Sequence, residues 1–187
     1  MRYNYAKNRG SILEFVTIFG SARLDSGSKF YKIAFELGKK LSQAGYGVVT
    51  GGGGGIMEAA NKGAFLSGGV SVGINIILPF EQKLNPYCTE SKTIDNLSKR
   101  KDMLIEKSSA FILMPGGFGT LDEIFEVITL AQTGLRKHKI VFCCKEFWQP
   151  LLDFFDNTLA VEKLIADDHS VYAVIDDFNE IIRYLKD

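Results

Sequence analysis

SAFILMPGGFGTLDEIFE, from Ser109 to Glu126, reads as a buried strand, a glycine turn and the opening of a helix. Ser109 to Met114 lacks polar alternation, as expected of a strand covered on both faces. Pro115 ends it, and Gly116, Gly117 and Gly119 follow with only Phe118 among them. Without a Cβ the backbone turns tightly there and admits a ligand closely. Thr120 then opens a helix whose apolar positions Leu121, Ile124, Phe125 and Ile128 recur at helical spacing. Free N–H groups and the dipole at a helix start favour an anion, with phosphate the usual guest. Glu123 follows three residues into that helix, and two readings fit it. Thr120-Leu-Asp-Glu123 matches a capping box, in which Glu123 satisfies a backbone N–H. Equally, it is a carboxylate placed for chemistry beside a phosphate pocket.

Outward from this stretch the chain alternates strands and helices. Residues 1–13 read as a frayed or partner-contacting lead-in. Phe15 to Phe19 is a first buried strand, ending in Gly20-Ser21-Ala22-Arg23, and Phe30 to Ala44 is a helix with Ile33, Ala34, Leu37 and Leu41 on one face. Tyr46 to Thr50 is a second strand, followed by the five glycines Gly51 to Gly55 and a helix starting at Ile56. Val70 to Ile76 is a third strand. Leu78 to Lys92 carries two prolines and no periodicity, so it reads as a long loop near the ligand site. Thr93 to Lys107 reads as a helix, Lys139 to Cys144 as a fifth strand, Phe147 to Leu159 as a helix and Ser170 to Ile175 as a sixth strand. A last helix carries Phe178, Ile181, Ile182 and Leu185 along one side.

This alternation predicts an α/β fold: a single-domain, Rossmann-like, doubly wound parallel sheet with helices on both faces, spanning 1–187. In the order 3-2-1-4-5-6, strands one and four are neighbours where the winding reverses, and ligands bind at their carboxyl ends. The turns FGSAR and MPGGFGT therefore meet at one place.

At 187 residues the chain is long enough to bury a substantial core. Lys plus Arg and Asp plus Glu balance at 22 each, which gives no bulk electrostatic argument for nucleic acid or membrane. No apolar run reaches the length of a membrane span, and MRYNYAKNRG lacks the apolar region of a secretory signal. Cys88, Cys143 and Cys144 have no zinc-ligand spacing, and the adjacent Cys143 and Cys144, in an apolar strand-like run, read as buried thiols. The expectation is a soluble protein of the cytoplasm.

The tract Gly51 to Gly55 is a second candidate anion cradle ahead of a helix, or else a structural turn. It is not the dinucleotide fingerprint, which belongs on the first strand–helix turn. Glu58, one turn into that helix, is placed to cap it or to touch a ligand hydroxyl. Ser98-Lys99-Arg100-Lys101 is ordinarily a solvated basic face, yet Leu97, Arg100 and Leu104 share one helical row, so Arg100 borders the buried stripe. His138 and His169 are isolated, and neither a metal constellation nor a Ser/His/Asp order emerges.

Pro115-Gly116-Gly117-Phe118-Gly119-Thr120-Leu121-Asp122-Glu123 matches the PGGxGTxxE motif of the Lonely Guy (LOG) family of cytokinin riboside 5'-monophosphate phosphoribohydrolases, many of which carry a "lysine decarboxylase" label. Arg100-Lys101 resembles the family's upstream Arg-Lys pair. TGGGGGIMEAANKGA resembles its other glycine motif, with Gly54 where GGGPGIMEAAN has proline. FGSAR resembles its first-strand turn, and the likeness spans residues 15–145. The resemblance implies a Rossmann-like, usually dimeric enzyme that hydrolyses the N-glycosidic bond of a nucleoside 5'-monophosphate. It carries no pyridoxal or metal requirement, so decarboxylation is not expected.

Arg100 and Glu123 match the family's catalytic pair, and Gly116, Gly117, Gly119 and Thr120 its phosphate-binding turn. Gly20, Ser21, Gly53, Gly54, Glu58, Lys101 and Glu126 complete the candidate substrate-binding set, with no cofactor and a small-molecule nucleotide as the partner. The competing readings are a nucleotide- or cofactor-binding module without turnover, and a nicotinamide-dependent oxidoreductase, which the missing fingerprint disfavours.

Overall fold

The computed structural model describes residues 13–78, 83–165 and 171–187. The lead-in expected before residue 13 and positions 79–82 of the expected loop lie outside the described residues.

The described elements are β1 (Phe15–Phe19), α1 (Lys29–Gln43), β2 (Gly47–Thr50), α2 (Ile56–Leu66), β3 (Ser71–Ile76), β4 (Glu90–Ile94), α3 (Leu97–Lys107), β5 (Ala110–Leu113), α4 (Phe118–Gln132), β6 (Lys139–Phe142), α5 (Lys145–Phe154), β7 (Ala173–Val174) and α6 (Phe178–Lys186). All seven strands pair in parallel, in the order β4-β3-β2-β1-β5-β6-β7. β1 is central, with Phe15 opposite Gly47 on one side and Val16 opposite Ala110 on the other.

Strand alternation divides the core into two layers. Val16, Ile18, Val48, Ala110 and Ile112 face a cluster completed by α1, α2 and α6, through residues such as Leu37, Ala60 and Ile181. Phe15, Phe19, Val49, Phe111 and Leu113 face the opposite cluster, completed by Leu104 of α3, Ile124 of α4 and Trp148 of α5. Burial on both faces explains why these strands read as unbroken apolar runs.

Four sequence readings are corrected. β4 lies inside the segment read as loop and helix: Glu90–Ile94 pairs with β3, and the helix begins only at Leu97. Its residues Ser91, Lys92 and Thr93 are exposed, as an edge strand allows, so no apolar pattern marks it. α4 begins at Phe118, with Gly117 as its N-cap and no side-chain cap bond. Thr120 therefore sits inside the first turn, and the capping box does not form. The helix expected over 147–159 is α5 followed by a wider helical turn over Phe155–Ala160. Ser170 of the expected last strand lies outside the described residues, and among the described ones the strand is two residues, Ala173–Val174.

Candidate active site

α3 places the arginine. Asn96 caps the helix by accepting from Lys99 N at 2.9 Å, and Thr17 of β1 ties its far end by donating to the Leu104 carbonyl at 3.3 Å. Arg100, one turn in, is 7 % exposed. Its Nε donates to the Ile74 carbonyl of β3 at 2.9 Å, and its Nη1 to Glu123 Oε1 at 3.3 Å. Gly51 makes room for the guanidinium, since a Cβ there would stand 1.9 Å from Nη2. The first glycine of the tract is thus a packing requirement of the arginine.

Glu123 projects from α4 into the same space and is 12 % exposed. Burial disfavours its charge more than Arg100 favours it, and its pKa is pushed up to about 7. A carboxyl poised there can take a proton as readily as give one. Lys101, next to Arg100, is held by other carboxylates of α4: its Nζ lies 3.0 Å from Asp122 and 2.8 Å from Glu126.

Three loops knit together above the sheet. Ser21 N donates to the Pro115 carbonyl at 3.0 Å, and Ile56 N to the Ser21 carbonyl at 2.9 Å, so the turn after β1 is stitched to both glycine turns. Gly55 holds φ +61°, and a Cβ on it would fall 2.3 Å from the Ser21 carbonyl. Asn61, fully buried, accepts from Thr50 at 2.6 Å and from Asn85 at 3.0 Å, and donates to Ser71 at 2.8 Å. Asn85 also donates to the Gly53 carbonyl at 3.0 Å, which straps the segment before β4 onto the glycine tract.

These turns enclose a cleft of about 1230 Å³ at the carboxyl ends of β1, β2 and β5. Gly20, Ser21, Gly54, Glu58, Arg100, Lys101, Gly117, Gly119, Thr120 and Glu123 all line it, whereas Gly53, Gly116 and Glu126 do not. A second cleft, of about 550 Å³, lies at the opposite strand ends around Glu14, Lys137 and Asp187 and holds none of these residues. Two participants escaped the sequence reading. Asn85 had one local signal, the Asn85-Pro86 turn dipeptide. Tyr31 had none, because a tyrosine on the buried face of α1 reads as core until its hydroxyl is seen to reach Glu58 at 2.8 Å.

Fold and site together define a Rossmann-like α/β protein with a glycine-walled cleft at its switch point and a buried Arg–Glu pair at the base. The family described as "Possible lysine decarboxylase" matches residues 57–185. The chain is 27 % identical over 174 residues to the probable cytokinin riboside 5'-monophosphate phosphoribohydrolase LOG4 of Oryza sativa subsp. japonica, covering 91 % of this chain and 75 % of that protein. It is 31 % identical over 155 residues to the cytokinin riboside 5'-monophosphate phosphoribohydrolase of Rhodococcoides fascians, covering 81 % and 78 %. The chain belongs to this LOG family, whose named members are phosphoribohydrolases, and it is an enzyme.

Solved structures share the fold at lower identity. TM1055 superposes with a TM-score of 0.68 at 22 % identity, over 93 % of this chain and 99 % of that one. The molybdenum cofactor binding protein from Rippkaea orientalis superposes with 0.68 at 19 %, over 94 % and 96 %.

Proposed function

We propose that the protein hydrolyses the N-glycosidic bond of a nucleoside 5'-monophosphate, AMP or an N6-modified AMP of the cytokinin type, to free base and ribose 5-phosphate. The observation that carries this reading is the buried pair of Arg100 on α3 and Glu123 on α4, the latter just inside the uncapped N-terminus of its helix. The phosphate takes the free N–H groups of that helix start, and its binding energy positions the sugar. The bond from C1' to the base breaks through an oxocarbenium-like state as a water oxygen bonds to C1'. Glu123 stabilises the developing cation and takes the water proton, while the purine takes a proton from bulk water as it leaves and Glu123 returns its own to solvent, so that one water is consumed. Arg100 stays charged and cannot act as a base; held by Ile74 and Glu123, it faces the negative charge developing on the departing base.

Phe118 and Leu97 at the mouth of the cleft are 93 % and 50 % exposed, which supports a homodimer covering them. Sedimentation of the purified chain checks this, and a monomer at micromolar concentration would end it. A cytoplasmic site of action is part of the same reading.

Chromatography of reactions with AMP and isopentenyladenosine monophosphate tests the activity. Wild type is expected to release free base, and Glu123→Gln to lose 10²-fold or more in kcat with nucleotide affinity largely kept. Equal turnover by both would remove Glu123 from the chemistry. Tight AMP binding without release of base would put a binding module in place of the enzyme reaction.

A further inference from the structure

The two glycine turns differ in charge. α4 has no acidic residue in its first turn, so its N–H groups meet the cleft as an uncompensated positive end. α2 carries Glu58 in its first turn, and that carboxylate lines the same cleft. An ionised acid there already complements the α2 dipole and repels a second anion. A carboxylate only accepts hydrogen bonds, so its matching guest is a hydroxyl.

Tyr31 prepares it for that guest. The side chain comes from α1, is 7 % exposed, and donates its phenolic O–H to Glu58 Oε1 at 2.8 Å. Burial, and then the bond to Glu58, hold its ionisation far above the ordinary phenol range, so it remains a donor. The carboxylate is thereby oriented while keeping acceptor capacity for a ligand.

Sheet order sets the span. α2 leaves the carboxyl end of β2 and α4 that of β5, with β1 between them. At the usual strand spacing the two helix starts stand roughly 10 Å apart, a gap that a pentose 5-phosphate bridges with a hydrogen bond at each end. The geometry points to Glu58, oriented by Tyr31, as the acceptor for the vicinal 2'- and 3'-hydroxyls of the sugar, through which the enzyme separates ribonucleotides from 2'-deoxyribonucleotides. This assignment rests on the nucleoside monophosphate reading above. Glu58 is the specificity residue and Tyr31 its positioning residue.

Calorimetric titration with ribose 5-phosphate and 2-deoxyribose 5-phosphate reads sugar recognition without turnover. Wild type is expected to bind the ribo sugar at least ten-fold more tightly, because a built acceptor rejects an analogue that lacks the hydroxyl. In Glu58→Gln the ratio falls toward one. In Tyr31→Phe it falls about three-fold or more, through the ribo sugar alone, a selective loss that a general weakening of the fold would not give. The KM ratio of AMP to 2'-deoxy-AMP follows the same order. Equal wild-type affinity for the two sugars, or an unchanged ratio in Glu58→Gln, overturns the assignment, as does failure of both sugars to bind. Cleavage of AMP without sugar discrimination sinks this inference and leaves the proposed activity standing. Discrimination at Glu58 without cleavage of any nucleotide does the reverse.

Discussion

Glu123 carries a conflict between desolvation and charge pairing, and desolvation wins despite Arg100 Nη1 at 3.3 Å. In the proposed mechanism the ionised form is the one that stabilises a sugar cation and accepts the proton of water. Turnover is therefore expected to rise with pH along an acidic limb of apparent pKa near 7. A pH–rate profile flat from 5 to 8 would contradict it. The same shift acts on stability with a definite sign. A carboxyl whose folded pKa is raised from 4.5 to about 7 contributes stability that is complete below the unfolded value and is lost as pH climbs through the folded one. The loss is of order 3 kcal/mol. Glu123→Gln does not titrate, so denaturant melts should show its stability gaining on wild type between pH 4.5 and 7, and not between 7 and 9.

At the scale of elements, the proposed function has the helix start of α4 trade stability for ligand access. Gly119 lies within the first turn, and a Cβ added to it meets nothing within 4 Å. Glycine inside a helix costs about 0.5–1 kcal/mol relative to alanine. Gly119→Ala should therefore raise the unfolding free energy by that amount and weaken nucleotide binding, because the methyl group enters the space a phosphate needs. Stabilisation with unimpaired AMP binding would show that the phosphate does not approach this turn. The same segment shows where sequence reading stops. Phe118 and Gly119 are poor helix formers, so the sequence places the helix start at Thr120, where the apolar spacing begins. The capping reading of Glu123 was local, whereas the contact it makes is with a residue 23 positions away. No pattern within α4 contains that partner. The strand–turn–helix itself was legible because its apolar run and its glycines are both local signals.

Over the whole molecule, the six strands read from apolar runs stand in the predicted order, and β4 was hidden by its place at the edge. What holds the active face together was less visible, because it is polar and long-range. Asn61 links Thr50, Ser71, the Val72 carbonyl and Asn85, and so joins β2, β3 and the segment before β4 through one buried amide. Asn61→Ala would strand several buried polar groups at once, each costing about 1–3 kcal/mol. A loss of about 2–4 kcal/mol in chemical denaturation is expected, accompanied by faster amide exchange in the glycine tract. A change below 0.5 kcal/mol would mean that the network is not a structural joint.

Trp148 is the chain's one tryptophan, and it lies 2 % exposed between Phe142 and Phe147. Its indole N–H donates at 3.0 Å to the carbonyl of Leu113, which also accepts from Cys143 N at 3.1 Å. Leu113 stands two residues ahead of Pro115, where the glycine turn begins. The molecule thus has a single indole whose polar end is wired to the backbone leading into the glycine turn where the proposed phosphate site lies. Ultraviolet emission excited at the indole band of unlabelled protein is therefore expected to shift if a ligand moves that turn, with no competing signal from any other indole.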